Sequence, residues 1–159
     1  MPRILAVDYG ERRVGLALSD ERAIIASAPL PTIDRKSLKG PAALEREIAR
    51  LVVEHEVGEL VVGLPVNMDG SHGEAAQKAE QFARDLETVT GLKVATWDER
   101  LTTVVARRVQ VELNLPRAKR QDKSRLDRTA ALLLLQNYLD YRGRSVRPEE
   151  DPAEDTNGE

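Results

Sequence analysis

The 159-residue chain has no cysteine, two histidines and only 3% aromatic residues. Without cysteine there can be no disulfide, thiol nucleophile or thiolate-bound zinc. His55 and His72 stand apart in the sequence, and neither has a partner recognisable from it, so both read as surface residues. So few aromatics argue against base stacking as the main mode of any nucleic-acid contact. Trp97 reads as core, and Tyr9 is the only ring next to a candidate metal ligand, Asp8. The longest apolar run, Ala130 to Leu135, falls far short of the roughly 20 residues needed to cross a bilayer. Charged residues, Arg3 and Asp8, interrupt the first eight positions, so no signal-peptide core forms. A cytoplasmic protein with no membrane partner is expected.

An excess of positive charge is also missing overall: 24 basic and 27 acidic residues leave -3. Taken as an average, that argues against a polyanion partner. The distribution along the chain reverses the argument. Arg100 to Arg147 holds 12 basic and 4 acidic residues, a local balance of +8, whereas 148–159 holds 6 acidic residues and no basic one. That last stretch also lacks large apolar residues, so a disordered acidic tail is expected after a single domain spanning 1–147. Hydrophobic residues at 41% suffice for one buried core.

Apolar periodicity organises the domain. Ile4–Val7 and Val14–Leu18 flank a link of hairpin length, Gly10 to Arg13, and predict adjacent antiparallel strands. A third strand is predicted from Ile24 to Pro29, stopped by Pro29 and Pro31. Leu44, Ile48, Leu51 and Val52 recur at helical spacing over about 42–56, giving an amphipathic helix. Leu60–Val62 is a buried strand, and a turn-rich loop, 65–73, follows. A helix through Ala76, Ala79, Phe82, Ala83 and Leu86 comes next, then a strand from Leu92 to Trp97. Thr102 can cap a further helix, and a last helix is predicted over about 124–141. This order implies a mixed α/β sheet, antiparallel at its start and parallel afterwards, with helices on both faces.

Ligand sites in open α/β sheets gather beyond the carboxyl ends of the parallel strands. Asp8 ends the first strand, Asp98 and Glu99 follow the last, and Asp127 lies near the start of the final helix. Asp127 shares a helical face with Ala130, Ala131 and Leu134, residues suited to packing on the sheet. A carboxylate there is costly unless it is paired or bound to a metal. Acids from separate elements, with no sulfur or imidazole nearby, suit Mg²⁺ or Mn²⁺. Two such ions, about 3.5–4 Å apart, can promote attack of water on a phosphodiester. Plainer readings exist for each acid alone: a turn at Asp8, a helix cap at Asp98 and Glu99, a surface ion pair from Asp127 to Arg125 or Arg128. Their joint placement beside the +8 segment favours a site. Arg117, Lys119, Arg120, Lys123, Arg125 and Arg128, with Arg12 and Arg13 at the same end of the sheet, would hold a nucleic-acid backbone.

Leu5–Gly10, Val62–Gly70, Trp97–Thr103 and Leu126–Ala131, in that order, resemble the YqgF/RuvX family from residue 3 to about 141. The resemblance implies an RNase H-like fold and a nuclease: either maturation of the 5′ end of pre-16S ribosomal RNA or resolution of four-way DNA junctions. It implies Asp8, Glu99 and Asp127 as the metal-binding and catalytic acids. Strand alternation alone leaves Asp98 open as the second acid. RuvC-type resolvases carry another acid one turn along the last helix, where this chain has Ala130. That departure tilts the expectation towards RNA. Asn67 can order a phosphate or a site acid, or simply form a turn. Arg100 and Thr102, at a helix start, can meet a phosphate. Cutting both strands of a junction would require a symmetric homodimer. The competing reading from a different class is a non-catalytic nucleic-acid-binding module with structural acids. An ATPase built on a duplicated fold would not fit in 159 residues.

Overall fold

The computed structural model describes residues 2–101 and 123–146, with side chains described for 2–101 and 130–143. Five strands are hydrogen-bonded in the order β3-β2-β1-β4-β5: β1 (Arg3–Tyr9), β2 (Arg13–Ser19), β3 (Ala26–Asp34), β4 (Val57–Leu64) and β5 (Lys93–Asp98). β1–β2 and β2–β3 are antiparallel, whereas β1–β4 and β4–β5 are parallel. The crossovers are carried by α1 (Ala43–Glu54) and α2 (Glu74–Thr90), and a long helix, α3 (Lys123–Val146), closes the chain's described part. This is the mixed sheet that the apolar pattern predicted, in an RNase H-like arrangement.

Alternation along β1 divides the core in two. Leu5 and Val7 are fully buried with Ile48 of α1 and Phe82 and Leu86 of α2. Ile4 and Ala6 point the other way, into a second cluster with Val61, Trp97 and the α3 residues Ala131, Leu134, Leu135 and Tyr138. The period of two places Asp8 on the α3 face of the sheet and Tyr9 on the opposite face. Tyr9 accordingly stacks on Phe82, with ring centroids 4.5 Å apart. Trp97 is buried as expected, with its edge against Tyr138.

The structure corrects the third strand. Ile24 and Ile25 lie outside it in an exposed turn, where the Asp20 carboxylate accepts from both of their N–H groups at 2.8 and 3.0 Å. β3 starts at Ala26 and runs through Pro29 and Pro31 to Asp34. Proline is tolerated here because β3 is an edge strand, where alternate N–H groups face away from the ladder. The β2–β3 register shifts between Val14 and Leu16, within this stretch. The last helix is longer than expected, reaching back to Lys123 and on to Val146. No described helix is long and apolar enough to cross a membrane.

Candidate active site

Parallel pairing brings the carboxyl ends of β1, β4 and β5 to one edge of the sheet. Val7 pairs with Val62, and Gly63 with Trp97, so Asp8 and the segment after Trp97 are separated by a single strand position, Gly63. A short 3-10 turn, Glu99–Leu101, follows β5 and turns Asp98 and Glu99 in different directions. The Asp98 carboxylate receives the Arg100 guanidinium at 2.7 and 3.0 Å and the Arg100 backbone N–H at 2.9 Å. This pairing holds the Asp98 carboxyl below its ordinary range. Glu99 instead folds back across β4 towards Asp8 and shares a hydrogen bond with its carboxyl. Desolvation, then the Asp8 charge and that hydrogen bond, push Glu99 up to about 7.

The contact depends on a residue that sequence reasoning passed over as a strand end. A Cβ placed on Gly63 would stand 2.7 Å from Glu99 Oε1 and 3.2 Å from Leu134 Cδ2. A side chain at this strand position would displace the Glu99 carboxyl from its path across β4 and press on Leu134 of α3, so glycine is what leaves both where they are. Gly63→Ala should therefore lower the melting stability by about 1–3 kcal/mol, the usual cost of overpacking. Much of that loss should vanish in a Glu99→Gly background, where one of the two clashing groups is absent. A double-mutant cycle by thermal denaturation measures this, and additive losses would rule the contact out.

The other expected site residues fall into three sets. Asn67 is exposed, and its described bonds stay within its own loop: its N–H donates to the Ser71 carbonyl at 3.0 Å and its amide to Ser71 Oγ at 3.1 Å. The turn-forming use of Asn67 is thus what the geometry displays. Arg100 is engaged by Asp98, and the Asp69 charge also acts on it. Arg12 and Arg13 lie where β1 turns into β2, at the same sheet edge as Asp8. Thr102, Arg117, Lys119 and Arg120, like the 148–159 tail, lie outside the described residues. Asp127, Lys123, Arg125 and Arg128 fall within α3, but their side chains lie outside the description. Asp127 stands one and two turns before Ala131 and Leu134, both buried on the sheet face that carries Asp8. His72 has a partner after all, the Glu80 carboxylate, six residues into α2 and invisible to local pattern.

Among the described residues no group of three acids or histidines is arranged to hold a metal. What they supply is a carboxylate pair, and hard oxygen donors of this kind fit Mg²⁺ or Mn²⁺. Asp8 and Glu99 would hold such a cation, and its charge would offset the like-charge repulsion that raises Glu99.

Comparison with known proteins places the chain in a family. The model of the RuvX family, described as Holliday junction resolvase, matches residues 2–141. A candidate pre-16S rRNA nuclease of Thermoanaerobacter pseudethanolicus is 45% identical over 139 residues, covering 87% of this chain and 96% of its relative. One from Pelotomaculum thermopropionicum is 42% identical over 147 residues, covering 91% of each chain. Among solved structures, Thermus thermophilus RuvC in complex with a Holliday junction superposes with a TM-score of 0.61 at 12% identity, covering 92% of this chain and 98% of that one. At that identity the likeness concerns the fold. The family match, nearly full-length relatives and the RuvC-like fold together assign the chain to the RuvX family of nucleases.

Proposed function

We propose that the chain is a divalent-metal-dependent nuclease that hydrolyses phosphodiester bonds in structured RNA, as in trimming the 5′ end of pre-16S ribosomal RNA. The observation that carries the chemistry is the meeting of Asp8 and Glu99 across Gly63 at the carboxyl ends of the parallel strands. The naming of relatives at 42 and 45% identity supports the RNA substrate. Asp8, Glu99 and Asp127 would hold Mg²⁺ or Mn²⁺, which when bound supplies Lewis-acid activation of water and neutralises charge on the phosphoryl oxygens.

The protein's own contribution is placement. β1 fixes Asp8, and the 3-10 turn together with Gly63 aims Glu99 at it. Arg100 draws Asp98 away from that pair by donating from Nε to Oδ1 and from Nη2 to Oδ2, so Asp98 acts on the site through its charge. Asp127 is delivered by α3, whose buried face rests on the same side of the sheet. Because burial and Asp8 favour the protonated form of Glu99, metal loading competes with a proton there, and activity at limiting metal should rise as pH rises.

Junction resolution is the second reading, favoured by the family description and the RuvC-like fold. One preparation assayed in Mg²⁺ and in Mn²⁺ separates the two. Cleavage of an RNA hairpin bearing a 5′ extension, with four-way DNA junctions left intact, is the expected result. Preferential cutting of the junction would replace the RNA reading with the resolvase one, and cutting of neither would favour a binding module.

A further inference from the structure

Among the described residues, a cluster of cations lies at the carboxyl end of β1. The β1–β2 turn carries Arg12, Arg13 opens β2, and the 3-10 turn after β3, Arg35–Ser37, carries Arg35 and Lys36, with Lys39 just beyond. These two turns are distant in sequence but bonded to each other. The Arg35 N–H donates to the Arg12 carbonyl at 2.8 Å, and Arg35 Nη1 donates to the Gly10 carbonyl at 3.1 Å. The Arg35 guanidinium also lies over the Tyr9 ring, 5.0 Å from its centroid, and Tyr9 is braced in turn by Phe82. Arg35 therefore acts as the rivet of the surface, and the other cations are presented on a fixed backbone.

The cations of these segments outnumber their acids. Asp34 caps the 3-10 turn by accepting from the Lys36 N–H at 3.0 Å, and with Glu11 it leaves these turns two acids against five cations, Arg12, Arg13, Arg35, Lys36 and Lys39. Among the described residues, Arg12, Arg13, Lys36 and Lys39 take part in no ion pair. Arg12, Lys36 and Lys39 are exposed. Unpaired cations on a rigid scaffold, next to an acid pair that would itself repel phosphate, are placed to hold a polyanion whose scissile bond lies at Asp8 and Glu99.

We infer that Arg12, Arg13, Lys36 and Lys39, riveted by Arg35, form a backbone-binding track for the RNA strand flanking the cleaved bond. The inference rests on the nuclease reading above and gives it a direction. Substrate would leave the acids over the β1–β2 turn towards the β3 edge. Contacts would be to phosphates, because the surface offers cations and no free ring: Tyr9 is covered by Arg35 on one side and by Phe82 on the other.

The test is equilibrium binding of a fluorescently labelled RNA hairpin with a 5′ extension to the full chain, without added divalent metal, across a salt series. Arg12→Glu/Lys36→Glu/Lys39→Glu should weaken binding about 10- to 100-fold and flatten the log–log salt slope by about two to three, since each phosphate contact contributes just under one. Arg84→Glu/Lys93→Glu, away from this edge, should bind as the parent does. An unchanged melting temperature shows that the triple variant is folded. A triple variant with parental affinity and salt slope would overturn the track while leaving the nuclease reading in place. Binding lost as expected in a chain that never cleaves RNA would do the reverse. A loss confined to four-way DNA junctions, or no binding of the hairpin by the parent, would overturn the assignment to RNA.

Discussion

Asp8→Asn and Glu99→Gln should each reduce metal-dependent cleavage by at least about 100-fold, since even residues that only support metal ligands are worth 10–100-fold. The same substitutions should stabilise the metal-free protein at alkaline pH. In the folded chain Glu99 keeps its proton up to about 7, against 4.5 ordinarily, because it is partly buried and faces Asp8. Between those two values the folded state binds more protons than the unfolded chain, so stability falls as pH rises through the window. Below about 4.5 the group is protonated in both states and the penalty is absent; above about 7 it is complete. A displacement of that size is worth at most about 3 kcal/mol, and solvent reaching this half-buried carboxyl screens it to about 1–2 kcal/mol. Glu99→Gln should gain that amount at pH 8 and nothing at pH 4. Added Mn²⁺ should raise the melting temperature of the parent but not of the variant. Thermal denaturation at the two pH values, with and without metal, reads all of this. A variant that is inactive yet no more stable at pH 8 would mean that Glu99 does not face Asp8.

At the opposite end of β4, Glu59→Ala should cost about 2–4 kcal/mol. Glu59 is 8% exposed. It accepts the Tyr138 hydroxyl at 2.6 Å and pairs with Arg142, both from α3. Burial, followed by the hydrogen bond to Glu59, raises the Tyr138 phenol above its ordinary range. Removing the carboxylate strands a buried hydroxyl, unpairs the guanidinium and leaves a void, and those losses fall together. For a domain of this size the melting temperature should drop by about 5–15 °C. Glu59→Met with Tyr138→Phe should cost less than Glu59→Ala alone, because replacing both partners leaves no stranded polar group. Parental stability in Glu59→Ala would show that the cluster does not hold α3. Below its lowered transition Glu59→Ala should still cleave, since its site is at the far end of the sheet from Asp8.

Much of this protein was legible in one dimension. The alternation of Leu5 and Val7 against Ile4 and Ala6, the helical spacing from Leu44 to Val52, and the helix–strand succession imply the mixed sheet. They also imply that Asp8 and the acids after Trp97 end on one edge, because period and order depend on neighbours in the chain. The division of the charge into a basic segment and an acidic end is likewise a property of the sequence. Partners across the sheet are not. Asp98 and Glu99 are equivalent until a 3-10 turn gives the first to Arg100 and sends the second over Gly63. The space at Gly63 exists only because β1, β4 and β5 pair in that register and α3 lies on top. Arg35 and Lys36 look like ordinary surface cations until the edge strand β3, carried through two prolines, lays their turn against Arg12. Periodicity reports which face a residue buries. Which group it meets there is decided by long-range pairing, and it is at those meetings that the site's chemistry arises.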